Sequence, residues 1–237
     1  MRYTKRYCIL LLFLIFLTNF PSEVYGQLEN EKHTGTWMVF SGNTKIHENW
    51  RIPTIGILTH QDMLENYNFS FFRTGISYQA SKSSTLTGGV AFLNSSSYSE
   101  ENIVKNSSQI WFYGEYTFKT KLGEDILAQR VRLENRRKIH SENPNVNNRL
   151  RYRLQYVKPI NSKTYLRSFN ELFLHLEGTA FDQNRLYIGM GQKLSKSLKM
   201  DIGYLKRFFK NSNEGMVRME LTFNVDLTKN DLALNPD

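Results

Sequence analysis

The fold class this sequence predicts is all-β: a transmembrane antiparallel up-and-down β-barrel. Three observations predict it. The N-terminus carries an export-type leader. The remainder divides into segments of about ten residues that alternate apolar with polar. Aromatic residues make up 14% of the chain although its mean hydropathy is only −0.48.

The leader begins with Arg2, Lys5 and Arg6. An apolar run, Cys8 to Phe20, follows, and then a short polar stretch from Pro21 to Gly26. That layout is a secretory signal peptide, and the apolar run falls short of the roughly 20 residues of a spanning helix. Cleavage is expected after Gly26, which makes residues 1–26 the signal and 27–237 the barrel domain. Removal takes Arg2, Lys5, Arg6 and Glu23, leaving a formal charge of +7. It also takes Cys8, the sole cysteine, so disulfides cannot reinforce the exported chain. No cysteine stands at the cleavage point to carry a lipid anchor.

The second observation rests on strand length. Candidate strands lie at 34–44, 50–61, 67–79, 85–94, 109–119, 126–137, 149–158, 164–176, 184–194, 198–208 and 216–227. A tilted bilayer-spanning strand needs about 9–11 residues, whereas ordinary strands run about five or six. Alternation is clearest in the second half. Leu150, Tyr152, Leu154 and Tyr156 share one face and Arg149, Arg151, Arg153 and Gln155 the other. Leu186, Ile188 and Met190 oppose Arg185, Tyr187, Gly189 and Gly191, and Val217, Met219, Leu221, Phe223 and Val225 oppose Arg218, Glu220, Thr222, Asn224 and Asp226. Successive strand side chains point to opposite faces, so one face is apolar and the other charged. A soluble sandwich also alternates; leader, strand length and strand count favour the barrel.

The third observation has the same origin. Only alternate residues of a barrel strand meet lipid, the lumen is polar, and aromatics gather at the interfaces. Connections also alternate in length. Residues 95–108, 138–148, 177–183 and 209–215 are long and polar; those near 80–84, 120–125, 159–163 and 195–197 are tight. Long extracellular loops and short periplasmic turns are the bacterial habit, and so is an even strand number. Eleven candidates therefore imply either an extra strand from residues 27–33, giving twelve, or the loss of the first, giving ten. Twelve is the expected count.

Several ordered pieces carry a family resemblance. Gly35-Thr36-Trp37 opens the first strand, FFRTGISYQ covers 71–79 and QIWFYGEY covers 109–116. RVRLENRR (130–137), NRLRYRLQY (148–156), NELFLHL (170–176) and QNRLYIGMG (183–191) follow. In this order they resemble the domain-of-unknown-function family 2490, predicted outer-membrane proteins common in Bacteroidota. The resemblance implies an outer-membrane barrel and supplies no substrate, cofactor or catalytic residue. The chain departs from general barrel habit in continuing past its last strand through residues 228–237 rather than ending on an aromatic residue.

The alternation turns a charged set inward. The expected lumen ion-pair network is Arg73, Glu115, Arg130, Arg132, Glu134, Arg136, Arg149, Arg151, Arg153, Arg167, Glu171, Arg185, Arg218 and Glu220, with Arg207, Asp201 and Asp226 on the same face. Arginine holds its charge and grips carboxylates bidentately, so pairing is expected in a narrow lumen. The network reads as a structural plug; because arginines exceed acids, it also reads as a lining that attracts small anionic solutes. Outer-membrane lipid and lipopolysaccharide are the expected partners, in the bacterial outer membrane.

A lipid or peptide hydrolase is the competing class. His33, His47, His60 and His140 lie near strand ends or loops, and His175 alone sits on a charged face, four residues after Glu171. A non-enzymatic role is expected. No His/Cys/Asp spacing resembles a metal site. A pI near 9.5 would suit nucleic acid, but the arginines are spread over many strands and export removes the opportunity. Asn68, Asn94 and Asn106 match the Asn-x-Ser glycosylation pattern by chance.

Overall fold

Alternating side chains settle into one closed sheet. The computed structural model describes residues 34–98, 104–139 and 146–228, and every regular element among them is a strand. In chain order they are β1 (Thr34–Lys45), β2 (Trp50–Asp62), β3 (Glu65–Gln79), β4 (Ser84–Tyr98), β5 (Val104–Leu122), β6 (Asp125–Ile139), β7 (Val146–Pro159), β8 (Thr164–His175), β9 (Phe181–Lys193), β10 (Leu198–Phe208) and β11 (Asn213–Asp226). Each pairs with its sequence neighbours, antiparallel, and β1 closes the barrel against β11. The signal-peptide reading of residues 1–26 falls outside the described residues.

The strand number corrects the sequence expectation of twelve or ten. The closed barrel has eleven strands. An odd number can close only if one neighbouring pair runs in the same direction. That pair is β1 and β11, parallel from Thr34↔Gly215 to Lys45↔Asp226. Because β1 lies directly between β11 and β2, no twelfth strand enters the sheet. Residues 27–33, which the even count needed, lie outside the described residues.

Strand β5 extends well beyond its expected bounds. Its pairing with β4 continues to Tyr98↔Val104, through residues expected to form a long loop. Ser and Asn fill both strands there, so no apolar alternation marked the extension. Conversely, β2 and β3 join through Met63 and Leu64 alone, at the end of the barrel that otherwise carries the longer connections. At the opposite end Gly123 and Glu124 form a two-residue turn, and Gly123 sits at φ 69, where glycine carries no Cβ penalty.

The two faces of the sheet differ sharply. Phe40, Phe72, Phe92, Leu133, Leu186, Ile188, Met190 and Ile202 are exposed, and all point outward. Ile188 is 66% exposed although it stands mid-strand. The inward positions are buried and mixed. Trp37, Val39, Phe169, Tyr187, Leu205 and Met216 form one apolar cluster; Phe71, Ala91 and Trp111 form a second. The middle of the interior is therefore filled with side chains, as expected for small barrels.

Tyrosines lie across glycines to fill this space. Gly75, Gly89 and Tyr113 are in register on β3, β4 and β5. The Tyr113 ring crosses both glycines and its hydroxyl donates to the Thr74 carbonyl oxygen at 3.3 Å. A Cβ on Gly89 would meet the Thr74 carbonyl and the Gly75 Cα as well as the Tyr113 hydroxyl. Two of those neighbours are backbone and cannot swing away. Gly89→Val is expected to destabilise the barrel by about 3 kcal/mol, the upper range for overpacking. Urea unfolding of the refolded protein checks this; a change below about 0.5 kcal/mol would mean the two strands are free to part.

Candidate functional site

The inward face of β5 to β9 holds one connected array of charges. Its centre is Glu134 on β6. Arg149 donates to it from Nε and Nη2 at 2.9 and 2.7 Å, Arg151 from Nη1 at 2.6 Å and Arg132 from Nη1 at 3.4 Å. Glu171 on β8 accepts from Arg151, at 3.1 and 2.7 Å, and from Arg130. Glu115 on β5 accepts from Arg132 Nε at 2.7 Å, with Arg130 at 3.7 Å and Arg73 at 4.0 Å. Three glutamates thus serve five arginines.

Register explains the need for this sharing. Arg130 stands directly opposite Arg153, and Arg132 opposite Arg151. Like charges directly opposite are destabilising. The glutamates relieve the repulsion by reaching diagonally: Glu171 faces Arg153 across β7 and β8 but its carboxylate goes to Arg151 and Arg130.

A second array lies on β8, β10, β11 and β1. Arg218 reaches Glu220 at 2.9 Å, and Arg167 reaches Glu220 at 2.5 Å and Asp201 at 2.8 Å. Tyr165 donates to Asp201, and Ser41 on the parallel neighbour β1 donates to Glu220 at 2.9 Å. Arg207 pairs with Glu214 at 2.7 Å. Asp226 stands at the rim, 3.5 Å from Lys45.

Arg136, Arg153 and Arg185 have no carboxylate within 4 Å among the described residues. They rest on aromatic faces. Arg185 lies 4.4 Å from the Phe173 centroid and 4.9 Å from that of Trp37; its Nε donates to Gln183. Arg153 lies 5.3 Å from Phe169, and Arg136 lies 5.7 Å from Trp111 and donates to Asn147. Phe173, fully buried, also meets Arg149 and Arg151, so one ring packs against three guanidiniums. A desolvated contact of this kind is worth about 2 kcal/mol.

Of the fourteen residues of the expected network, eleven divide between these two arrays, and Arg136, Arg153 and Arg185 join neither. Sequence reasoning missed the aromatic half of the interior, because Trp37, Trp111, Phe169 and Phe173 occupy positions where alternation led one to expect charge. It also missed Asp182. A bulge between β8 and β9 leaves Asp182 as the extra residue, and its carboxylate turns in to Arg149 at 2.9 Å and to His175 at 3.5 Å. Bulges re-aim side chains in this way. His175 faces Asp182, Asn147 and Arg136, whereas Glu171 belongs to Arg130 and Arg151; the two do not form a pair. His47 lies in the β1–β2 turn and His60 contacts Thr36 and Tyr67. His33 and His140 lie outside the described residues. No group of three metal-ligating side chains occurs among the described residues.

A closed, mostly antiparallel barrel with a charged and aromatic interior is the class these features define. The family model described as a protein of unknown function (DUF2490) matches residues 34–218, which is nearly the whole barrel, and the chain belongs to that family. No curated protein matches it.

Removing Glu134 would leave three arginines facing one another. Glu134→Gln is expected to cost about 3–5 kcal/mol, the penalty for breaking a buried pair. Arg185→Leu, which removes no carboxylate partner, is expected to cost about 2 kcal/mol or less. Unfolding midpoints of the two variants check the order; equal losses would mean the carboxylates do not organise the interior.

Proposed function

We propose that this protein is an integral barrel of the bacterial outer membrane, non-enzymatic, whose bore is closed at mid-height by its own side chains. The single observation carrying this reading is the inversion of the usual burial pattern. Charged side chains are enclosed, while large apolar side chains cover the outside of every strand. In water such an apolar surface would be an aggregation liability; in lipid it is the required contact.

Outward aromatics near the short-turn rim support the same reading. Trp50 and Tyr78 pack with ring centroids 4.9 Å apart. The Tyr116 hydroxyl meets Ser84 at 3.0 Å and the Tyr156 hydroxyl donates to Asp125, so these rings stay on the apolar surface while their hydroxyls reach polar residues at the turns. Such amphipathic rings suit the level of lipid headgroups. The expected partners are outer-membrane lipid and lipopolysaccharide.

The interior supports a plug over a standing channel, because Arg132, Phe173, Tyr187, Leu205 and Asp201 are almost wholly buried within the bore. Passage of small anionic solutes is the second reading. The surplus of arginine over carboxylate favours it, and it requires the plug to rearrange.

Ile188→Arg is expected to cost about 2–4 kcal/mol for folding into bilayers, as a cation near the midplane of a lipid-facing strand does. Folding titrations in vesicles measure it. The wild-type protein should need detergent to stay dissolved and should be electrically silent in planar bilayers. A protein that stays monomeric in plain buffer would refute the membrane reading, and steady conductance steps would favour the open channel over the plug.

A further inference from the structure

The plug does not fill the whole bore. Toward the short turns the lumen opens into a cavity of about 350 Å³ between β2, β3, β4 and β5. Arg51, Arg73, Lys82 and Lys119 are its cations and Glu115 is its one acid. Glu115 is already committed to Arg132, Arg130 and Arg73 on the plug side. Among the described residues no carboxylate lies within 4 Å of Arg51, Lys82 or Lys119; Arg51 donates only to the amide oxygen of Gln79, at 3.2 Å.

Lys119 and Arg51 line the same cavity from β5 and β2, both positive. Lys199 stands opposite Lys193 on the adjoining strands near the same end, so cations also stand there on β9 and β10. Elsewhere in the interior repulsion is relieved by shared glutamates or by ring faces. In this cavity Arg73 has both, Glu115 at 4.0 Å and the Tyr113 ring at 5.0 Å, whereas Arg51, Lys82 and Lys119 have neither among the described residues. The remaining wall supplies small neutral donors, among them Thr85 and Thr117.

The geometry points to a binding site for a polyvalent oxyanion of the phosphate class in this cavity. Its guanidinium and ammonium groups would hold phosphate oxygens, arginine by a fork and lysine as a point charge. The cavity is large enough for a diphosphate group. The same chemistry is offered by a free phosphorylated solute and by a phosphorylated lipid headgroup at the rim. This assignment deepens the closed-barrel reading: the anion rests against the plug rather than passing it.

The test uses the full-length protein refolded in detergent, with inorganic pyrophosphate as the probe and calorimetry at low salt as the readout. Saturable binding near one per barrel is expected. Arg51→Gln combined with Lys119→Gln should weaken it at least tenfold, and Lys82→Gln alone should weaken it less. Lys138→Gln, which removes a charge near the other end of the bore, should leave binding unchanged. The neutralised lysine and arginine have no acidic partner, so folding should persist, and faster migration of unheated protein on gels verifies it. Mass spectrometry of protein drawn from native membranes separates the sources. A phosphorylated lipid retained by the wild type and lost from the double variant identifies a headgroup, and pyrophosphate binding without retained lipid identifies a free solute. Binding that is non-saturable, or equal in all four proteins, overturns the site while leaving the barrel reading intact. Failure to fold in detergent would instead strike at the barrel reading itself.

Discussion

Guanidinium groups enclosed by a cylinder of protein must each meet a carboxylate, a ring face or a neutral acceptor. That constraint organises the molecule. Where acids are available they are divided: Glu134 serves three arginines and Glu171 two. Where acids run out, Phe173, Trp37 and Phe169 take their place. The second device costs no additional buried charge, and it fills volume at the same time. An ionic interior of this kind is weak evidence for stability in itself. Its value lies in position. A register slip of one residue would send the inward arginines of the slipped strand outward and its outer apolar residues in, so the array fixes how the strands pair.

Much of this was legible beforehand because a strand repeats every two residues and most large exposed side chains of the outer face are apolar. The segment 149–156 shows it best, with four outward apolar residues interleaved with three arginines and Gln155. What was not legible had three separate causes. The strand count rests on which strands meet at the closure, and nothing within β1 or β11 encodes that meeting; an even number was the general habit, and the parallel seam departs from it. The extension of β4 and β5 passes through Ser and Asn, where polarity is uniform and the period is silent. The place of Asp182 depends on a bulge, which changes which face a residue takes without altering composition.

The aromatic half of the interior illustrates a subtler limit. Trp37 and Phe173 are large and apolar, yet they stand at inward positions of their strands. Their burial follows from the arginines beside them: a ring that carries three guanidiniums on its surface has more to gain inside. Facing is therefore a joint property of several strands. The glycine pairs behave similarly. Gly75 and Gly89 are uninformative alone, and acquire meaning only when Tyr113 is found lying over both.

The same-direction seam between first and last strands has a bearing on ancestry and on engineering. Strand β1 begins at one mouth of the cylinder and β11 finishes at the other. Joining Asp226 back to Thr34 would demand a connector spanning the length of a twelve-residue strand, roughly 40 Å of extended chain. Circular permutation by a short linker is accordingly closed to this architecture. Duplicating hairpins adds strands two at a time, so an eleven-strand closure needs one strand without a hairpin partner.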